Sequence, residues 1–269
     1  MSMEISRPIS SSIVAYRMSM EVVQELVDDF LPSFRTMIKG ELEMRGGSRL
    51  VQMLDRMEKL TRHLKNIECE KYGIPSHTII NSYLTLATIC GVYYYIMKEE
   101  LALANRKIKD FLSKTDLPEI SREFIQEMEK LSHIQGTINS TRFSFFYPES
   151  LFVLDSLRLD SLGCVGILNN AIVCQELKMD MFDQYQKLVY DIPGDHEAVM
   201  RKPTLIDVIK DECNRSEGEM NTMAGEYERK RRVSHMHYFI QGLQTDVKEF
   251  DEQIDWESSD NVTKNLFPM

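Results

Sequence analysis

From Val233 to Ile254 the apolar residues Val233, Met236, Ile240, Leu243, Val247, Phe250 and Ile254 step 3-4-3-4-3-4. Such a series falls on one side of a helix, whereas a strand alternates with period two. The same spacing recurs at Val23, Val27, Phe30 and Phe34, and again at Leu50, Met53, Met57, Leu60, Leu64 and Ile67. A chain patterned in this way folds as packed helices. Only 12 Gly and 8 Pro occur in 269 residues, too few for the many turns of a sandwich or barrel. The 17 Met suit helices and fill irregular core gaps.

The breakers divide this pattern. Gly46-Gly47 ends a first helix, and Ser48 caps a second that runs to about Tyr72. Gly73-Ile74-Pro75 ends that one, and Ser76 caps a long helix from His77 to Ser113. Asp116 and Pro118 mark the start of the next, Glu119 to about Gln135. The aromatic-rich stretch 136–148 contains "RFSFFY", the one strand-like run, and reads as an extended linker. Glu149 to Met179 forms a helix or a helix pair broken at Gly163 or Gly166, and Asp180 to Tyr190 and Thr204 to Cys213 are helical. The expected architecture is all-α and two-lobed, with a long amphipathic C-terminal helix. The N-terminal lobe spans 1–135, the linker 136–148, and the C-terminal lobe with its acidic tail 149–269.

Thr78 to Met97 is long enough to cross a bilayer. Its Asn81, Ser82 and threonines and its moderate hydrophobicity favour a buried central helix, with surface attachment to a membrane left open. The five cysteines, Cys69, Cys90, Cys164, Cys174 and Cys213, form no CxxC pair, and the N-terminus has no apolar signal core. A reducing, intracellular setting is expected, the cytoplasm with the nucleus as a second compartment.

Catalytic signatures are absent from the sequence. No paired Glu-x-x-His, nucleophile elbow or phosphate loop occurs. Cys213, His235 and His237 are the nearest approach to a zinc set, but residues two apart point about 200° apart on a helix. Neither a metal nor another cofactor is expected, and the balance leans away from an enzyme.

Two linear signals remain. Arg229, Lys230, Arg231 and Arg232 are consecutive cations in a chain of net charge −10. Such runs contact nucleic-acid or lipid phosphates or an import receptor, or form a solvated collar. Leu151, Leu154, Leu157 and Leu159 match the spacing of leucine-rich export signals, a pattern also common in helical cores. The seam from Val233 to Ile254 either packs on its own lobe or pairs with a second copy.

The stretch "SYLTLATICGVYYYIM", Ser82 to Met97, resembles in texture one helix of the influenza-type matrix proteins of orthomyxoviruses. The resemblance implies a self-associating scaffold between a membrane surface and a nucleoprotein. Arg229 to Arg232 would make the phosphate or import-receptor contact, and a homo-oligomer, a nucleoprotein or nucleic acid, an anionic membrane and nuclear transport receptors would be the partners. Two other readings stand beside it. One is a small-molecule-binding protein or enzyme with an apolar pocket inside Thr78 to Met97 and Leu151 to Leu177. The other is a soluble, partner-specific adaptor.

Overall fold

The structure, a computed structural model, describes residues 24–75, 79–115, 117, 119–133, 147–180 and 204–253. Every regular element among them is helical. The helices are α1 Gln24–Gly46, α2 Ser48–Tyr72, α3 Asn81–Ile96, α4 Leu101–Leu112, α5 Glu119–Glu127, α6 Glu149–Leu159, α7 Gly163–Glu176, α8 Leu205–Arg215 and α9 Met223–Gln253. Short 3-10 turns cover Lys98–Glu100 and Met128–His133. The all-α expectation holds.

The chain divides into two compact units, and the division is discontinuous. Unit 1 comprises 1–158 with 218–227, and unit 2 comprises 159–217 with 228–269. Most of the linker expected at 136–148, including nearly all of "RFSFFY", lies outside the described residues. So do the cap candidates Ser76 and Asp116, and all but the first residue of the helix expected over Asp180 to Tyr190.

In unit 1, α3 is the central rod. It packs against α1, α2, α5 and the 128–133 turn. Twelve of its sixteen residues are buried, Tyr83, Leu86, Ala87, Ile89 and Val92 among them. That environment explains a sequence apolar nearly all round. Phe124 sits edge-on to both Tyr83 and Tyr147, with ring centroids 5.0 and 4.5 Å away. Phe30, Phe34 and Phe111 form a second aromatic group joining α1 to α4.

One long helix from His77 to Ser113 is not what forms. Helix α3 stops at Ile96, and Lys98–Glu100 makes a 3-10 turn. Glu100 is held there by Arg45, through two bonds of 2.9 and 2.8 Å. The break lets α4 turn its single apolar stripe, Ala104, Ile108 and Leu112, inward. Pro32 lies inside α1, which continues past it without a new start.

In unit 2, α7 packs on α8. Helix α6 ends at Leu159 and α7 begins at Gly163, whose φ of 73° is the left-handed conformation that glycine adopts without strain. Thr204 caps α8 through a reciprocal capping box: its hydroxyl accepts from the Asp207 N–H, and the Asp207 carboxylate accepts from the Thr204 N–H at 2.9 Å.

Candidate functional site

Helices α1, α2 and α3 of unit 1 enclose an open cleft of about 460 Å³. Asp28, Leu31, Pro32 and Arg35 come from α1, Arg62 and Asn66 from α2, and Asn81, Ser82 and Thr85 from the first turns of α3. Helical spacing explains the grouping. Asp28, Leu31, Pro32 and Arg35 share one side of α1, as Arg62 and Asn66 do on α2.

The polar groups of the cleft differ in how they are engaged. Arg35 is paired with Glu58 through contacts of 2.9 and 2.8 Å. Asn81 accepts a hydrogen bond from the Lys65 ammonium at 2.6 Å, and its carbonyl accepts from the Thr85 hydroxyl at 2.9 Å. Arg62 is exposed and forms no ion pair among the described residues. Ser82 is only 4% exposed, and its hydroxyl has no hydrogen-bond partner among the described residues. Ile80, the residue before α3, has no side chain that can cap the helix, and its N–H goes to the Glu149 carboxylate at 3.2 Å.

A second polar centre lies inside unit 1, at the start of α9. Asp155 is fully buried and accepts four hydrogen bonds. They come from the Asn221 N–H and side-chain amide, each at 2.8 Å, and from the Thr222 N–H and hydroxyl, at 2.9 and 2.8 Å. Burial pushes the Asp155 carboxyl above its usual range, against the pull of these bonds. Glu68 accepts the Ala224 N–H at 2.7 Å, and Thr222 accepts the Gly225 N–H at 2.9 Å. A side chain at Gly225 would stand 2.3 Å from an Asp155 oxygen, so the helix start and the carboxylate require that glycine to meet. The N–H groups of Ala224 and Gly225 in the first turn of α9 are satisfied by these acceptors, and Asp155 is clamped by its four donors. The signal in the sequence was an aspartate at helical spacing between Leu151 and Leu159, on an otherwise apolar side of α6.

The residues expected to carry function are placed as follows. Arg229 to Arg232 lie on α9 in helical, not extended, backbone. Arg229 is buried. Arg231 donates to the Glu228 carboxylate at 2.8 Å, and Arg232 reaches it at 3.8 Å. Arg232 also donates to the Leu159 carbonyl at 2.8 Å, and burial lowers its pKa. Lys230 is exposed. The run is therefore drawn in large part into the packing of unit 2. Of the seam, Met236 and Ile240 are buried and Val233 and Leu243 half-buried. Met236 meets Cys213 with sulfurs 3.8 Å apart, so this part of the seam packs on its own unit. The side chains of Val247 and Phe250, and all of Ile254, lie outside the described residues. Leu154, Leu157 and Leu159 are buried and Leu151 half-buried, as core residues of α6.

Among the described residues no three His, Cys, Asp or Glu side chains converge to hold a metal ion. No described helix is long and apolar enough to cross a membrane. Of the polar positions of Thr78 to Met97, Ser82 and Thr88 are buried inside unit 1 and Asn81 is exposed.

This arrangement of helices has counterparts. An HD-superfamily hydrolase from Bacillus thuringiensis superposes with a TM-score of 0.57 at 18% identity, over 84% of this chain and 100% of that one. A protein from Lactobacillus plantarum gives 0.53 at 17% identity, over 81% and 97%. The Lin1889 protein from Listeria innocua gives 0.53 at 18%, over 82% and 97%. The chain shares their fold. At these identities the likeness is one of fold alone. No family model and no curated protein matches the chain.

These neighbours overturn the resemblance to orthomyxovirus matrix proteins, and with it the virion scaffold and the nuclear-import role attached to it. The sixteen residues that carried the resemblance share only the texture of a helix buried on all sides.

Proposed function

We propose that this chain is a small-molecule-binding protein on a hydrolase-like helical fold, with the α1–α2–α3 cleft as its ligand site. The observation that carries this reading is the cleft itself: about 460 Å³, open to solvent and walled by the polar side chains of Asp28, Arg35, Arg62, Asn66, Asn81 and Thr85. That volume lies within the ordinary range for small-molecule sites. The cleft differs from the apolar interior pocket expected from the sequence, because the sides of α3 are filled by packed rings and aliphatic groups. Its ligand is polar.

Hydrolysis of that ligand is the second reading, favoured by the hydrolase with the same fold. Such chemistry needs an activated water or a positioned acid and base. Asp28 is the one carboxylate among the described residues of the cleft wall. Asp155 is taken up by its four donors, and burial holds the Cys90 thiol far above its ordinary pKa. The described residues thus supply binding groups more readily than a catalytic pair.

A thermal-shift panel of polar metabolites tests the reading, on the full chain and on Thr85→Trp, which fills the cleft. Stabilisation of the native chain by a subset of compounds, lost in Thr85→Trp, is expected. Equal shifts in both proteins would remove the cleft from consideration. Turnover of the bound compounds would move the assignment to an enzyme.

A further inference from the structure

We propose that α7 is a self-association surface, pairing antiparallel with α7 of a second copy of this chain.

The sequence of α7 is the starting point. From Gly163 to Gln175 it carries no charged side chain. A helix apolar all round belongs inside protein. Its inner side does pack on α8, with Ile167 and Cys174 buried. Its outer side does not. Leu168 and Leu177 are each 65% exposed, Ile172 43% and Val173 42%. These are four of the ten large hydrophobic residues exposed among the described residues, and they lie within ten positions of one another. The other six are spread over α1, α9 and the chain after α2. Apolar side chains gathered on one surface mark a place where another surface docks.

Charge at the two ends of α7 says what docks. Glu176 is exposed at its last turn, followed by the exposed Lys178 and Asp180. That end is net negative, which disfavours an anionic bilayer as the cover. The opposite end is positive. Leu162, the residue before α7, has no side chain that can cap the helix, and the first N–H groups of a helix have no acceptor within it. A second α7 running antiparallel lays Glu176 of each copy beside the helix start of the other, twice by symmetry. A parallel pair would set like ends together.

Size agrees with this occupant. From Cys164 to Leu177 the outer side is about 20 Å long. Two such faces with their flanks bury on the order of 1,000 Å² in total, the lower bound for a specific interface, so the dimer is a reversible one. The seam of α9, the other candidate for pairing, has Met236 and Ile240 buried in its own unit.

Sedimentation equilibrium on the full chain at low salt tests the proposal. A reversible monomer–dimer equilibrium is expected. Leu168→Asp with Ile172→Asp places charges in the interface and should weaken it about a hundredfold or more. Leu168→Gln alone is the milder variant and should weaken it about tenfold. Glu176→Lys should weaken it about tenfold at low salt and less at high salt. Tyr238→Asp, at a residue 71% exposed on α9, should leave it unchanged. Circular dichroism should show all four variants as helical as the native chain, since each changed side chain is exposed. A native chain that stays monomeric at every concentration would overturn the proposal, as would a dimer that neither Leu168 variant weakens. A dimer weakened by those variants but indifferent to Glu176→Lys would overturn the antiparallel arrangement.

Discussion

The carboxylate of Asp155 receives both the N–H and the hydroxyl of Thr222, at 2.9 and 2.8 Å, across 67 residues of sequence. Asn221 adds two further bonds at 2.8 Å. Within unit 1 this ties α6 to the start of α9. Arg158, one turn later on α6, donates to the Glu219 carbonyl and brings positive charge toward the same carboxylate.

Asp155→Asn keeps the size of the side chain but turns an NH2 group toward donors. We expect a loss of about 3 kcal/mol, the scale of breaking one side of a buried charged network. Urea denaturation measures it. An unchanged midpoint would show that the clamp contributes little.

Gly163 joins α6 to α7 at a φ of 73°, and an added Cβ would approach the Arg232 side chain to 3.2 Å. Gly163→Ala should therefore cost about 1–2 kcal/mol from the left-handed backbone alone. Gly40 meets nothing within 4 Å in the middle of α1, so Gly40→Ala should gain up to about 1 kcal/mol. Thermal melts of the two variants should move in opposite directions. Movement in the same direction would contradict the local account.

Tyr93 is buried and its hydroxyl has no partner among the described residues. Burial, reinforced by Glu41 and opposed by Arg45, pushes its pKa up to about 12. The unfolded chain ionises near pH 10, so the folded state holds its proton longer. This contribution to stability is complete below about pH 10 and is lost as pH rises through about 12. Tyr93→Phe should match or exceed the native chain at pH 8 and lose less stability between pH 9 and 11.5. Guanidinium melts across that range give the slopes, and equal slopes would count against burial as the cause.

The helices were legible because apolar spacing and breakers are local. Gly46-Gly47, Gly163 and Thr204 ended or began helices where their chemistry placed them. The break after Ile96 was hidden, because it depends on Arg45 finding Glu100 from 55 residues away. The basic run was conspicuous as sequence, yet Glu228 and the Leu159 carbonyl engage much of it in the fold. The cleft was illegible for a related reason. Its residues are ordinary Asn, Ser and Arg from three helices, and no motif records that they line one cleft.

Hydrogen–deuterium exchange on the full chain, with and without a saturating compound that stabilises it in the thermal-shift panel, tests the central claim most directly. The account predicts slowed exchange at 81–85, with smaller effects at 62–66 and 28–35, and none at 221–225. Protection confined to other segments, or none at saturation, would contradict it.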